Sequence, residues 1–170
     1  MMNVSQAIRQ RRSIRKFQKG VEIPKEHMDL MLEAAMMAPS ACNARPWEFV
    51  VVQDEDYRKK IVEIAPFSRP ILEASAAIVV CGRPDLQEKS PAQGFFPQDC
   101  GAAIENILLQ ALELGYGTVW CGLYPVEDRV NKVQQLLEIT SIPVAVIAVG
   151  KGAETPAAKG YYQKERVKYL

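Results

Sequence analysis

The densest chemistry in this sequence is a run of cations near the N-terminus: Arg9, Arg11, Arg12, Arg15, Lys16 and Lys19, with Ser13 among them. Guanidinium forks take phosphate oxygens in pairs, and a serine hydroxyl adds a directed donor. Arg-x-Ser-x-Arg between a short helix and an extended arm therefore suits one phosphate of a small molecule. Two other readings stand beside that clamp, a solvated basic face and contact with nucleic acid. A second cluster is Ala38-Pro39-Ser40-Ala41-Cys42-Asn43-Ala44-Arg45-Pro46-Trp47. Its two prolines fix the chain and its small side chains let backbone approach a flat ligand. The plainer reading is a helix-to-strand connection with Trp47 packed in the core. Gly122-Leu123-Tyr124-Pro125 poses the same choice, between a glycine whose N–H meets a ligand and a simple turn.

Other chemistries are excluded or weakened. His27 is the single histidine, which rules out any site needing several imidazoles. Cys42, Cys81, Cys100 and Cys121 form no close C-x-x-C pair, so no metal site is expected. They read as buried small hydrophobes of a reduced, cytoplasmic protein. With 21 basic against 20 acidic residues the net charge is +1, too balanced for whole-surface attraction to nucleic acid or acidic lipid. No run approaches the roughly 20 apolar residues that span a bilayer. The N-terminal MMNVSQAIRQRRSIRKF is Arg-rich and acid-free, as transit peptides are, yet it is poor in Ser and runs without a break into the folded pattern.

Positioning these residues falls to elements readable from apolar spacing. After Pro24, Met28, Met31, Leu32, Ala35 and Met36 make one helical face that ends before Pro39. After Pro97, Cys100, Ala103, Ile104, Ile107, Leu108, Ala111 and Leu112 make a nearly all-apolar helix, stopped by Gly115 and Gly117. After Pro125, Val126, Val130, Val133, Leu136 and Leu137 face inward, with Glu127 and Asp128 at the positive helix end. His27 falls on the polar side of its helix and reads as a surface residue. Continuous apolar runs at Phe49–Val52, Ala77–Val80, Thr118–Trp120 and Val144–Val149 predict strands covered on both faces. The 170 residues, 48% hydrophobic, fit one domain spanning 1–170. Its predicted order is helix, helix, strand, helix, strand, helix, strand, helix, strand. This is an α/β or α+β three-layer sandwich, a central mixed sheet of four to five strands flanked by helices. Arg83 to Gln93 reads as a polar, mobile loop, and the chain after Gly150 as a polar extended tail.

In order and spacing, the motifs resemble the nitroreductase family of FMN-dependent oxidoreductases in its small single-domain form. Arg11-Arg12-Ser13-Ile14-Arg15-Lys16-Phe17 is similar to the family's phosphate motif, and Ala38-Pro39-Ser40 through Asn43 to Pro46-Trp47-Glu48-Phe49 to its second signature. Asp99 to Asn106, with Leu112-Gly115-Gly117-Thr118-Trp120, resembles the central helix and following strand. Gly150 and Glu165-Arg166-Val167-Lys168-Tyr169 resemble the C-terminal arm.

The resemblance implies roles. Arg11, Arg12, Ser13 and Arg15 would hold the FMN phosphate, ribityl chain and pyrimidine edge. Pro39, Ser40, Ala41 and Asn43 would reach the flavin of the other subunit of a homodimer. Cys121, Gly122 and Leu123 would lie beside the isoalloxazine, with backbone N–H groups toward N5 and O4, and Lys159 would take a second phosphate contact. No catalytic side chain is implied. Hydride would pass from NAD(P)H to flavin and then to a nitro-compound, quinone or similar electron-poor small molecule, in ping-pong order, with the protein supplying orientation and charge, Arg15 near N1 and O2 included. Two departures stand out. Phe67-Ser68-Arg69-Pro70 occupies the place of the pyrimidine-edge amide of many relatives, so either Ser68 or Arg69 substitutes or the contact is missing, and Arg45 stands where many relatives carry Gln. They leave open a flavin carrier or regulatory protein without efficient turnover.

Overall fold

The computed structural model describes residues 2–170 apart from Lys89, Ala158, Lys159 and Tyr161. The elements follow the predicted order: α1 (Val4–Gln10), α2 (Lys25–Met36), β1 (Trp47–Val52), α3 (Glu55–Ile64), β2 (Ala76–Gly82), α4 (Phe96–Glu113), β3 (Gly117–Gly122), α5 (Glu127–Leu137) and β4 (Ile142–Gly150). Local chemistry sets several boundaries. Asn3 and Gln6 form a reciprocal capping box on α1, and the Asp54 carboxylate accepts from the first-turn amides of α3. Gly115, at φ +80, ends α4 with the left-handed turn that glycine adopts freely.

The sheet order is β1-β2-β4-β3, and all three ladders are antiparallel. This corrects the mixed sheet expected from sequence. Among the described residues, the parallel pairing is a lone bridge between Ser13 and Thr118. Continuous apolarity reports burial on both faces, and here both faces are covered without parallel strands. Every residue of β2 is buried, and β4 is buried from Pro143 onward. One face, with Ile78, Val80, Ile147 and Val149, packs on Met31, Ile104 and Ile107 of α2 and α4. The other, with Ala77, Val79, Val146 and Ala148, packs on Ile61, Ile71 and Val133 beneath α3 and α5. Each large aliphatic side chain buried this way stabilises the fold by about 1.5–3 kcal/mol.

Two local expectations change. His27 is half-buried, with Nδ1 2.8 Å from the Tyr116 hydroxyl, because the turn after α4 returns across α2. The Arg83–Gln93 stretch, read as polar, contains a 3₁₀ turn at Pro84–Gln87. Its Gln87 side chain is fully buried and bonded to Asp99. Among the described residues no helix is long and apolar enough to cross a membrane, and no group of His, Cys, Asp and Glu could hold a metal ion.

Candidate functional site

The arginine motif leaves α1, meets the outer edge of β3 at Thr118 and passes on to the end of β4, where Phe17 bridges Gly152. The Ile14 amide donates to the Thr118 carbonyl at 2.8 Å, which creates the Ser13–Thr118 bridge. Gly117 permits this approach, since a Cβ there would lie 2.8–2.9 Å from three Ile14 carbons. The segment is held from the other side by Glu154, whose Oε1 accepts from the amides of Arg15 and Lys16 at 2.6 and 3.2 Å.

Between α1, the C-terminal half of α4 and this edge lies a cleft of about 490 Å³. Arg9, Arg11, Arg12 and Lys151 bring four cations to its wall, against one acid, Glu154. Ile14, Leu108 and Leu112 supply apolar lining. Arg11 Nε pairs with Glu105 at 3.1 Å, and Lys151 Nζ donates to the Gly115 carbonyl. Arg12 spends one amino group on the Arg11 carbonyl, while its Nε is sealed from solvent with no partner among the described residues. A cationic cleft with unused guanidinium donor capacity fits a phosphate. Lys151 and Glu105 were not singled out from sequence. Only the basic residue after Gly150 could have pointed to the former.

Farther along the edge the backbone becomes available. Residues of an antiparallel strand alternate in the side to which they turn N–H and C=O. Thr118 bonds outward to Ile14, whereas the Leu123 N–H bonds inward to the Val144 carbonyl at 2.9 Å. Trp120 and Gly122 therefore turn outward, and among the described residues neither has a backbone partner on that side. The N–H expected from Leu123 is thus committed to the sheet, and Gly122 presents the free one. Gly122 is exposed, and a Cβ built on it meets no atom within 4 Å. Cys121 points into the opposite layer, where burial raises its thiol pKa and nearby Arg15 pulls it down. The exposed Arg15 side chain follows the Arg11–Arg12 pair and is near enough to Cys121 to act on its thiol.

The remaining predicted residues are not gathered here. Ser68 is fully buried and its hydroxyl donates to the Ala65 carbonyl at 2.6 Å, leaving neighbouring Arg69 as the exposed polar side chain. Lys159 lies outside the described residues. The Pro39, Ser40, Ala41 and Asn43 loop is tied to Asp99 in the first turn of α4, whereas the cationic cleft reaches Leu112. Thirteen residues at 1.5 Å each put these points about 20 Å apart along the helix. The loop also holds Cys42, Asn43 and Arg45 at φ near +50, a conformation that costs roughly 1–2 kcal/mol for an ordinary side chain.

The chain is similar to known proteins along nearly its whole length. The family model described as Nitroreductase family matches residues 8–67 and 66–151. A protein of Methanothermobacter thermautotrophicus, provisionally described as an NADH dehydrogenase/NAD(P)H nitroreductase, is 45% identical over 98% of this chain and 86% of its own. A crystal structure from Bacteroides thetaiotaomicron with the same provisional description superposes with a TM-score of 0.90. It is 34% identical over 99% of this chain and 98% of that one. A provisionally described nitroreductase from Desulfovibrio desulfuricans, solved in complex with FMN, has a TM-score of 0.81. It is 28% identical over all of this chain and 98% of that one. Matched from the arginine motif to the end of β4, this chain belongs to the nitroreductase family.

Proposed function

We propose that this protein is an FMN-dependent, NAD(P)H-oxidising reductase of nitro-compounds, quinones or similar electron-poor molecules, working as a homodimer in the cytoplasm. The observation that carries this reading is the cationic cleft continuing into the free outer edge of β3. Arg11, Arg12 and Lys151 would hold the phosphate, with the Ser13 hydroxyl and Arg15 following along the strand. The Gly122 N–H would orient the ring system, and the exposed Arg15 would favour negative charge developing beside it. When bound, FMN would supply the hydride-transfer chemistry between NAD(P)H and the acceptor, and the chain would supply binding, orientation and charge.

The homodimer rests on the separation within one chain between the Pro39–Asn43 loop and the cleft, which leaves that loop free to complete a partner's site. Unpartnered apolar side chains agree with it. The helix α1 buries none of its own residues, and Val4, Ile8 and Met37 are exposed.

Purified protein should be yellow, bleach on addition of NADH or NADPH and recover with an acceptor. A colourless protein that takes up no added FMN overturns the proposal. A bound flavin that neither nicotinamide reduces would instead identify a carrier or regulatory protein.

A further inference from the structure

Three of the four non-glycine residues at positive φ among the described residues lie in the loop that follows α2: Cys42, Asn43 and Arg45. Part of what holds them is internal. Ser40 Oγ accepts from the Arg45 amide at 2.9 Å, and Asn43 Oδ1 accepts from Arg45 Nε at 3.1 Å. Pro46, just after the loop, accepts from the Arg83 amide at 2.9 Å, and the loop itself is tied to the rest of the molecule through Asp99. Its Oδ1 accepts from the Ala41 amide at 3.0 Å, and its Oδ2 accepts from Gln87 Nε2 at 2.8 Å. Asp99 is 6% exposed and has no ion-pair partner among the described residues. Its charge is met instead by the two N–H donors and by the positive end of α4, in whose first turn it lies. Gln87 is fully buried, and its Oε1 has no partner among the described residues. The Gln87 side chain therefore makes one bond, and that bond goes to Asp99.

We propose that Asp99 is a positioning residue for the Pro39–Arg45 loop, its two carboxylate oxygens holding that loop in its left-handed turn and registering it against the Pro84–Gln87 turn. The consequence for cofactor binding rests on the function proposed above, in which that loop meets the flavin. The requirement for a carboxylate follows from the donors. Ala41 and Gln87 each offer an N–H from a different direction, and both must be accepted at once. An asparagine offers one acceptor and one donor. It can keep the Ala41 bond only if the Gln87 amide turns its unused oxygen toward the new NH₂ group. Polarity at this point can accordingly be exchanged. Gln87→Glu alone sets two buried carboxylates against each other, whereas Asp99→Asn with Gln87→Glu restores one donor facing one acceptor.

The test uses the full chain. Hydrogen–deuterium exchange is followed over residues 39–45, thermal unfolding is recorded alongside, and FMN affinity is measured by titration. Gln87→Glu should speed exchange at Ala41 by about tenfold, the effect of losing one charge-assisted hydrogen bond. It should weaken FMN binding in the same direction, although Gln87 makes no bond to that loop. The double variant should return both readouts toward wild type. Unchanged exchange over 39–45 in Gln87→Glu, or a double variant no better than the single, overturns the proposal. Asp99→Leu should give the largest loosening. Should it fail to fold, the two conservative variants decide the matter. If wild-type protein takes up no FMN, the proposed function falls, while the exchange measurements still judge Asp99.

Discussion

Replacing Arg11 by alanine tests the cleft most directly, because the structure supplies terms of both signs. A charge-assisted hydrogen bond to a phosphate is worth about 1.5–3 kcal/mol. In the free protein, however, Arg11 Nε already pairs with Glu105 at 3.1 Å, with the two side chains 31% and 44% exposed. Solvent screening limits that pair to about 1 kcal/mol or less, which FMN binding must replace or share. The net expectation for Arg11→Ala is a loss of about 1–2 kcal/mol, or about 5–30-fold in Kd. Glu105→Gln should act oppositely. It frees Arg11 and removes an acid from the cleft rim, tightening FMN binding by up to about fivefold, the equivalent of that ion pair. Quenching of FMN fluorescence on titration with apoprotein reads both constants. A Kd within twofold of wild type for Arg11→Ala, or two variants shifting the same way, would refute the assignment of Arg11 to the phosphate.

Three further outcomes are expected. Gly122→Ala should leave the melting temperature nearly unchanged, since its Cβ meets nothing in the chain. It should weaken FMN binding by about 1–3 kcal/mol, the usual cost of overpacking, and unaltered affinity would remove Gly122 from the site. Gly117→Ala forces a Cβ against Ile14 at 2.8–2.9 Å and should cost about 1–3 kcal/mol of stability, read by denaturant titration; an unchanged midpoint contradicts the packing. Cys81 and Cys100 are pushed up to about 12, in both cases chiefly by burial. Because the folded values exceed the unfolded value of about 8.5, their stabilising contribution is complete below that pH and declines as pH rises toward 12. Melting curves should fall above pH 9, and less steeply in Cys81→Ala. Equal slopes in the two proteins would contradict this.

Much of the architecture was written in the apolar runs. The stripes at Met28–Met36 and Cys100–Leu112 became α2 and α4, and the four β-branched runs became the four strands. Strand direction was not legible, because a run such as Val144–Val149 looks the same in either sense when both faces are covered. Within the site the charges were visible in the sequence, since Arg-x-Ser-x-Arg has few structural duties that would hide it. Backbone donors were not visible, because whether Gly122 or Leu123 has a free N–H depends on the phase of one strand relative to its neighbour. Gln87 was hidden for a similar reason. In a polar stretch nothing separates the one side chain that turns inward to Asp99 from those that remain in water.

The free rim of β3 bears on the protein before any ligand arrives. Unpaired strand amides are templates onto which another chain can add, and sheets are commonly guarded there by charge. Here the guard is the arginine segment itself, which crosses the edge at Thr118 with the exposed Arg15 two residues beyond. Neutralising Arg15 would thus expose the nascent protein to edge-to-edge aggregation as well as weaken its grip on an anion.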